Sequence, residues 1–217
     1  MMRITEFKEL IRNLPYDQHS FDVKRKNWIV PSQQQVIDSI FADKDVISLN
    51  RHHLHNSNFD LDTFILKTLM WGYPTRGRGN NLNNILKKRN FVFLIEILED
   101  YRDNEVFIEK MESDIKQIRG LGLSTMTKFT NFLNTTINGN KALILDNRII
   151  EAINKDCFIE LEHLKGISIS NGIKRYPEYL ETINQLAKQI ESEPEQIELF
   201  LFMFGRNLSE LIGDNGK

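Results

Sequence analysis

Residues 118–134 read IRGLGLSTMTKFTNFLN, which places two glycines between two helical patterns. Apolar side chains recur at spacings of three and four both upstream, in VFIEKMESDIKQI, and downstream, in STMTKFTNFL. This periodicity predicts a helix that ends near Ile118, a turn at Gly120 and Gly122, and a second helix that begins near Ser124. Glycine permits a turn with positive φ and lets a partner approach the main chain closely. The stretch therefore predicts two helices joined by a tight glycine hairpin.

The glycine hairpin can serve either as an anion site or as a packing corner. The first N–H groups of a helix have no intrahelical partner, and the helix dipole adds positive potential there, so the second helix can hold a phosphate at its start. Ile118 and Leu121 would anchor the turn in the core. The alternative is an ordinary helix corner in which the glycines serve only close packing. The hairpin alone does not separate the two.

Lys128 and Asp146 follow the hairpin at positions that suit catalysis. Lys128 lies one turn into the second helix beside Phe129, and a lysine is a nucleophile only when burial or a nearby cation favours its neutral form. Asp146 ends the apolar run ALILD and precedes NRIIEAI, which predicts that it is the N-cap of a short helix. A carboxylate in that position can also face a cleft. The alternatives are an exposed helix lysine and a purely structural cap.

The rest of the chain is predicted to be mainly α. Helical spacing recurs in YPEYLETINQLAKQI and in SEPEQIELFLFMFG, which has a capping box from Ser192 to Glu195 and a stop at Gly205. Strand signals are few and short, in NWIV, DVISL and ALIL. The breaks between patterns predict lobes of one compact unit, divided into an N-terminal lobe of unassigned role, a hairpin core and C-terminal helices that pack back on it: residues 1–62, 63–155 and 156–217.

Composition indicates a globular protein with one local basic region. The 217 residues are 41% hydrophobic and 27% charged, and the formal net charge is −2. No apolar run is long enough to cross a bilayer and no signal-peptide pattern begins the sequence, which predicts a cytoplasmic protein without a membrane partner. Between Thr63 and Ile95 there is no acidic residue but six cations: Lys67, Arg76, Arg78, Lys87, Lys88 and Arg89. Such a patch predicts a phosphate-binding face, and the alternative is a solvated loop with chance charge.

Metal ligands are sparse in the sequence. Cys157 is the single cysteine, so no internal disulfide and no Cys-x-x-C site for zinc or iron–sulfur can form. Three of the five histidines lie in RHHLH, residues 51–55, without a cysteine or an acidic partner at a helical metal spacing. The sequence therefore predicts a polar loop there and no metal site.

Four segments in order resemble the helix-hairpin-helix DNA glycosylase superfamily. They are the Gly-Leu-Gly hairpin with Lys128, the run ALILDNRII, the segment MWGYPTRGRGNN at residues 70–81, and EYLETINQLAKQI…ELFLFMFGR at residues 178–206. ALILDNRII is especially similar to bacterial proteins described as having an 8-oxoguanine glycosylase fold. The resemblance covers about residues 60–206 and implies two helical lobes with a cleft between them. The turn before Lys128 is longer here than in the best-known glycosylases, but the spacing from the lysine to the aspartate is kept.

The resemblance implies a role for each candidate residue. Lys128 would attack C1′ of a flipped nucleotide and form a Schiff base, while Asp146 would stabilise the cationic sugar. The DNA backbone would be held by Gly120, Leu121, Gly122, Leu123, Ser124, Arg76, Arg78 and Arg148. The base would stack in a pocket drawn from Trp71, Tyr73, Phe200 and Phe204, for which core packing is the alternative. No dissociable cofactor is expected, although the superfamily allows a monovalent cation on the hairpin carbonyls.

Three functions are consistent with the sequence. The leading one is a bifunctional DNA glycosylase and AP lyase on duplex DNA with a flipped nucleotide, with 8-oxoguanine as the first expected substrate and a modified phage base, in antiphage defence, as the alternative. The second is a non-catalytic helix-hairpin-helix nucleic-acid-binding protein, which would not depend on Lys128 or Asp146. The third is a protein–protein subunit of a repair or defence complex. The first requires that Lys128 and Asp146 open into one cleft.

Overall fold

The computed structural model describes residues 1–55, 60–77 and 79–208, and the prediction of a mainly α fold is confirmed. The α-helices of this part of the chain are α1 (Lys8–Arg12), α2 (Gln34–Phe41), α3 (Arg51–His55), α4 (Leu61–Gly72), α5 (Asn81–Ile85), α6 (Lys88–Glu99), α7 (Ile108–Gln117), α8 (Leu123–Phe132), α9 (Asn147–Asn154), α10 (Gly172–Ile190) and α11 (Pro194–Phe204). The strands are β1 (Ser20–Lys24), β2 (Val46–Asn50), β3 (Glu105–Val106), β4 (Thr136–Ile137) and β5 (Asn140–Lys141). Short 3-10 helices cover Ile4–Phe7, Tyr16–Gln18, Arg25–Asn27, Pro31–Gln33 and Ile159–Leu164. Each helix within the described ranges is too short or too polar to span a membrane.

Helix α8 forms the centre of the fold. It packs along α4, where the rings of Phe64 and Phe129 lie 6.1 Å apart and those of Trp71 and Phe132 lie 5.2 Å apart. Every side chain of α8 except that of Ser124 is buried, including polar ones. Among its buried polar groups, Thr130 Oγ1 donates to the Thr127 carbonyl and Asn131 Nδ2 donates to the Ala142 carbonyl, as buried polar groups in proteins usually do. A helix that carries polar side chains is therefore fully enclosed.

The glycine hairpin forms as predicted, between the end of α7 at Gln117 and the start of α8 at Leu123. Gly120 has a φ of 93°, and a Cβ at this position would lie 2.5 Å from the carbonyl oxygen of Asn81. Glycine is required there for both reasons, because other residues disfavour the left-handed region and have no room for a side chain. Leu121 is buried and its N–H donates to the Ile118 carbonyl, which closes the turn onto the core.

The segment of residues 142–146 is extended but belongs to none of the strands in the described structure. Its backbone is satisfied by side chains: the Tyr176 hydroxyl bonds both the N–H and the carbonyl of Leu143, and the Tyr179 hydroxyl donates to the Ile144 carbonyl. The N–H of Ile144 donates to Glu198 Oε2 at 2.8 Å. The strand signal in ALIL thus reflects a buried extended segment, since side chains from α10 and α11 take the place of a neighbouring strand.

The other two strand signals have opposite outcomes. DVISL overlaps β2, which pairs antiparallel with β1 from Ser20 opposite Asn50 to Lys24 opposite Val46. NWIV begins at the last residue of the 3-10 helix Arg25–Asn27 and is not a strand, although Trp28 and Val30 are buried and Ile29 between them is exposed. The paired strands β1 and β2 pack on α4, so the N-terminal lobe contacts the centre of the fold directly.

The prediction of a polar loop at RHHLH is wrong. These residues form the short helix α3, which follows β2 directly and contacts α4 and α8. Arg51 and Leu54 are buried, three residues apart on one face of the helix, while His52 and His53 are exposed. The sequence did not predict this buried face, because RHHLH lacks an apolar helical pattern. Arg51 is buried together with its ion-pair partner on a distant helix, Glu198 of α11.

Helix α11 ends at Phe204 with Gly205 as C-cap, as predicted, but its capping box lies one residue later than predicted. The box joins Glu193 and Gln196, not Ser192 and Glu195, and Glu193 N–H donates to Gln196 Oε1 at 2.9 Å. This shift puts Pro194 at the first helical position, where its missing N–H has no consequence. The first and last segments of the chain meet, because α11 packs on α1, and the boundaries 1–62, 63–155 and 156–217 stay a prediction.

Candidate active site

Lys128 and Asp146, eighteen residues apart in the chain, line one cavity of about 50 Å³. Lys128 comes from α8, and Asp146 ends the extended segment before α9. The remaining lining comes from β1, α3, α4, the extended segment and α11: Phe21, Arg51, Trp71, Gly72, Ile144, Glu198 and Phe202. The cavity therefore collects side chains from parts of the chain that are far apart in sequence.

The Lys128 side chain is held inside the fold rather than in solvent. It is 5% exposed, and its Nζ donates to the carbonyl oxygen of Ser124 at 2.8 Å and to the Ser124 hydroxyl at 2.9 Å. Nζ also lies 5.8 Å from the centre of the Tyr73 ring. A Cβ on Gly72 would lie 2.9 Å from Lys128 Cδ, so this glycine leaves room for the lysine stem. The alternative of an exposed helix lysine is thus wrong.

Asp146 combines the two roles that its sequence position allows. Its Oδ1 accepts the N–H groups of Arg148 at 2.9 Å and Ile149 at 3.2 Å, which confirms it as the N-cap of α9. The same side chain lines the cavity. Because the cap bonds fix the carboxylate at the start of α9, Asp146 is oriented before any ligand binds.

Aromatic rings form one wall of the cavity. Trp71, predicted for the base pocket, is buried in this wall, with its ring centre 5.3 Å from that of Phe21 and its Nε1 donating to the His19 carbonyl. Phe202 completes the wall, and the guanidinium of Arg148 lies 4.9 Å from its ring centre. These rings give the cavity flat apolar surfaces.

The other three residues predicted for the base pocket lie elsewhere. Phe200 is fully buried against Phe7 and Phe158 in the core, and Phe204 packs on Phe200. Neither lines the cavity, because residues two apart on a helix point about 200° apart, and Phe202 is the one that faces it. Tyr73 lies beside the cavity, where its hydroxyl bonds the Thr125 hydroxyl at 2.7 Å. Glu198 and Phe202 are four residues apart, so they lie on the same face of α11. This spacing was the sequence signal that could have identified the face lining the cavity.

A buried ion pair also lines the cavity, and no pattern in the sequence predicted it. Arg51 Nη2 donates to Glu198 Oε1 at 2.7 Å, and the two side chains are 1% and 0% exposed. Burial raises the pKa of Glu198, an effect that Arg51 opposes. The Arg51 guanidinium also lies 5.3 Å from the centre of the Trp71 ring. Among the described residues, no side chain or backbone atom accepts a hydrogen bond from Arg51 Nε or Nη1.

Two histidines near the cavity are held neutral by their surroundings. Burial, followed by the positive charges of Arg51 and Arg148, lowers the pKa of His19 to about 4. Burial and Arg51 have the same effect on His55, whose pKa is also about 4. The His19 ring packs against Phe21, Trp71 and Phe202, so it supports the aromatic wall from behind.

A second, more open groove of about 220 Å³ runs along the glycine hairpin. Its lining includes Gly120, Gly122, Leu123 and Ser124 from the hairpin, with Tyr73, Gly77, Asn81 and Asn147 around them. A Cβ on Gly122 would stand in open space, so the main chain there is accessible. The first N–H groups of α8 lack intrahelical partners and give the groove positive potential. Because Ser124 lines the groove and also binds the Lys128 amine, groove and cavity adjoin.

The predicted phosphate-binding cations differ in their availability. Arg76 donates from Nη1 to the Ile29 carbonyl at 2.7 Å and from Nη2 to Asn83 Oδ1 at 2.9 Å, so its guanidinium already has two protein acceptors. Arg148 is exposed at the start of α9, beside the cavity. Arg78 lies outside the described residues. Phosphate contacts by these three arginines stay a prediction.

The described residues include no group of three or more histidine, cysteine or acidic side chains that could hold a metal ion. The monovalent cation at the hairpin stays a prediction. Two carbonyls there already accept hydrogen bonds from the backbone. The Ile118 carbonyl accepts the N–H of Leu121, and the Gly122 carbonyl accepts the N–H groups of Thr125 and Met126.

Comparison with known proteins identifies the family. Residues 14–202 match the family model described as "Putative 8-oxoguanine DNA glycosylase OGG-like protein". The chain belongs to this family, which agrees with the resemblance seen in the glycine hairpin and the ALILDNRII run. A search of curated proteins and a search of solved structures each found no significant match.

Proposed function

We propose that this protein is a bifunctional DNA glycosylase and AP lyase that excises a damaged or modified base, with 8-oxoguanine as the first substrate to test. The observation that carries this proposal is that Lys128 and Asp146 line one cavity, beside a groove formed by the glycine hairpin. Membership of an 8-oxoguanine glycosylase-like family supports the reaction class and DNA as the partner. The burial of Lys128 argues against a protein that only binds DNA.

Base flipping is the first step of the proposed mechanism. A base inside the duplex cannot be reached, so the nucleotide must rotate out of the stack, which costs a few kcal/mol and less when the base is damaged or mispaired. The hairpin groove would hold the DNA backbone through the free N–H groups at the start of α8. That contact would place the sugar at the entrance of the cavity, next to Ser124 and Lys128.

Lys128 and Asp146 would then divide the chemistry between them. As the C1′–N bond breaks, positive charge develops on the sugar, and the Asp146 carboxylate stabilises it in a partly buried site. The neutral Lys128 amine bonds to C1′ while the departing base takes up a proton, and opening of the sugar ring gives a Schiff base. Loss of a C2′ proton from this intermediate then forms a double bond between C2′ and C3′ and expels the 3′ phosphate, which nicks the strand. Ser124, whose carbonyl and hydroxyl accept from Nζ, orients the amine.

Borohydride trapping tests the proposal directly. Wild-type protein is incubated with duplex DNA that carries an abasic site, or 8-oxoguanine opposite cytosine, in the presence of borohydride. A covalent adduct is expected for wild type and not for Lys128→Gln. The matched control is Lys116→Gln on the neighbouring helix α7, where the lysine is 70% exposed and pairs with Glu112, and this variant should trap normally.

The outcomes separate the candidate functions. Trapping of the abasic duplex without excision of 8-oxoguanine would keep the lyase and point to another base, a modified phage base among them. Excision without trapping would indicate a glycosylase that uses Asp146 alone. Salt-sensitive DNA binding without excision or trapping would contradict the proposal and favour a non-catalytic DNA-binding protein.

A further inference from the structure

The wall of the cavity formed by residues other than Lys128 and Asp146 has the composition of a recognition surface. Phe21, Trp71 and Phe202 supply aromatic rings, and Arg51 and Glu198 supply the polar groups. Arg51 and Glu198 lie 147 residues apart in the chain, from the N-terminal lobe and from α11. Neither residue belongs to the hairpin, and the mechanism above assigns neither a role. An apolar pocket with a few convergent polar groups is typical of a site for a small planar ligand.

Arg51 is the unexplained group in this wall. It is 1% exposed, and one of its nitrogens, Nη2, binds Glu198, while Nε and Nη1 have no acceptor within the described part of the chain. Buried polar groups in proteins are almost always hydrogen-bonded, because an unsatisfied one loses its interaction with water and gains nothing. Buried donors that line a cavity are instead satisfied when a ligand brings acceptors. The geometry thus calls for a ligand with a hydrogen-bond acceptor.

Glu198 supplies hydrogen-bond acceptors beside the donors of Arg51. Its Oε1 accepts from Arg51 and its Oε2 from the Ile144 N–H, which leaves acceptor capacity on both oxygens of a carboxylate. A donor and an acceptor side by side match a carbonyl next to a ring N–H. Guanine-type bases have this unit at O6 and N1–H, and uracil- and thymine-type bases have it at O4 and N3–H. Adenine and cytosine present the reverse order, an amino group beside an unprotonated ring nitrogen.

Access to the wall requires a local rearrangement. The cavity of about 50 Å³ has room for a few water molecules but not for a nucleobase. Phe202 lies on α11 near its end and is only partly buried, and its ring also contacts the exposed Arg148. Rotation of Phe202 would open the cavity and let its ring stack on the base opposite Trp71. The flipped base itself would then cover Arg51.

We infer that Arg51 and Glu198 form the specificity-determining pair of this protein and select flipped bases that carry a carbonyl beside a ring N–H. Arg51 donates to the carbonyl oxygen and Glu198 accepts the N–H. The substrate class is therefore the oxo bases derived from guanine, uracil or thymine, and amino bases derived from adenine or cytosine are rejected. This inference rests on the proposed glycosylase function.

Matched pairs of substrates test the inference with wild-type protein alone. The first pair is 8-oxoguanine and 8-aminoadenine, whose amino groups lie beside unprotonated ring nitrogens, and the second is 5-hydroxymethyluracil and 5-hydroxymethylcytosine. Each base is placed opposite a tetrahydrofuran residue so that base pairing does not distinguish them. Single-turnover excision is expected to be at least about tenfold faster for the carbonyl member of a pair, the size of effect that a well-placed arginine contact gives. Equal rates within both pairs, faster excision of the amino members, or excision of no member would overturn the inference.

Substitutions then assign the discrimination to the pair. Arg51→Lys keeps the charge opposite Glu198 but loses the fork of donors, and the double variant Arg51→Gln with Glu198→Gln removes both charges together. Both are expected to reduce the ratio of rates to within about threefold, a loss comparable to the contact itself. The control Arg12→Gln removes an arginine that pairs with Glu191 on the surface, and it should keep the wild-type ratio. Circular dichroism verifies that each variant is folded.

Trapping of a duplex that carries a ready-made abasic site separates this inference from the proposed function, because no base has to be recognised. If wild type traps that duplex and its excision rates within each pair of bases are equal, the proposed function stands. Only the inferred selection of bases by Arg51 and Glu198 then fails. If both folded Arg51 variants keep the wild-type ratio of excision rates, the inferred role of Arg51 and Glu198 likewise fails while the proposed function stands. If wild type neither traps nor excises, the proposed function fails, and the inference fails with it.

Discussion

The two sides of the cavity differ in how they are built. One side carries Lys128 and Asp146 and comes from a continuous stretch, the α8 helix and the extended segment that follows it. The other carries Arg51, Glu198 and Phe202 and comes from the N-terminal lobe and α11, which meet only in the folded protein. The first side has the groups that would break a bond, and the second has the groups that would choose a base. The two proposals therefore assign reaction chemistry and base selection to different parts of the chain.

This difference bears on how each side is stabilised. Lys128 and Asp146 are held by neighbours in sequence, Ser124 for the amine and the first N–H groups of α9 for the carboxylate. Arg51 and Glu198 pair across a long sequence separation, and both side chains are almost fully shielded from bulk solvent. A change on the first side should alter catalysis with little effect on folding, whereas a change on the second should alter both.

Arg51→Ala is expected to have the largest effect. It leaves Glu198 fully buried without its cation, and breaking such a pair typically lowers the free energy of unfolding by about 3–5 kcal/mol. Urea denaturation measures the change. Arg12→Ala is the control, because its ion pair with Glu191 is exposed and should contribute about 0–1 kcal/mol. A loss for Arg51→Ala as small as that of the control would mean that the second side of the cavity does not depend on this pair.

Asp146→Asn should separate catalysis from stability on the first side. Asparagine caps a helix as well as aspartate does, so the unfolding free energy should change by less than about 0.5 kcal/mol. Loss of the negative charge should slow single-turnover excision by about 10²–10³-fold. Asp60→Asn is the matched control, since Asp60 caps α4 through the Thr63 N–H at 2.9 Å and is not part of the cavity. Equal rates in the two variants would exclude an electrostatic role for Asp146.

The two hairpin glycines should respond differently to alanine. Gly120→Ala forces a side chain into a left-handed backbone and towards the Asn81 carbonyl, which should lower stability by about 1–3 kcal/mol. Gly122 has a φ of −128° and open space at its Cβ position, so Gly122→Ala should fold normally and instead weaken binding to abasic DNA. Thermal unfolding and a salt-controlled binding titration measure the two effects. Unchanged DNA affinity in Gly122→Ala would argue that the backbone of the DNA does not approach this glycine.

The pH dependence of stability should give the smallest effect. The folded-state pKa values of His19 and His55 are about 4, below the ordinary value of 6.5, so between these values the unfolded chain binds more protons. Stability should therefore fall as the pH is lowered from about 6.5 to about 4, by an amount on the order of 1 kcal/mol because both rings are partly solvent-exposed. Urea midpoints of wild type and of His19→Gln with His55→Gln measure this. An equally steep fall in the variant would assign the pH dependence to other groups.

Local patterns predicted the hairpin, the cap at Asp146 and the end of α11 at Gly205, because helix termini depend on neighbours within a few residues. The same patterns failed where a partner lies far away in sequence. ALIL was compatible with a strand, but the tyrosines of α10 take its backbone hydrogen bonds. Phe200 and Phe204 were as suitable as Phe202 for a base pocket, since an apolar helix does not show which face meets a cavity.

The sequence by itself determined the mainly α fold, the glycine hairpin and the order of lysine and aspartate, since each depends on periodicity, capping or backbone freedom over a short stretch. Only the tertiary structure decided that Lys128 is buried and that Arg51 meets Glu198 beside Trp71. Charged side chains are usually solvated, so no local pattern announces a buried one. Its position depends on whether a distant segment brings the opposite charge, and that is settled by packing of the whole chain.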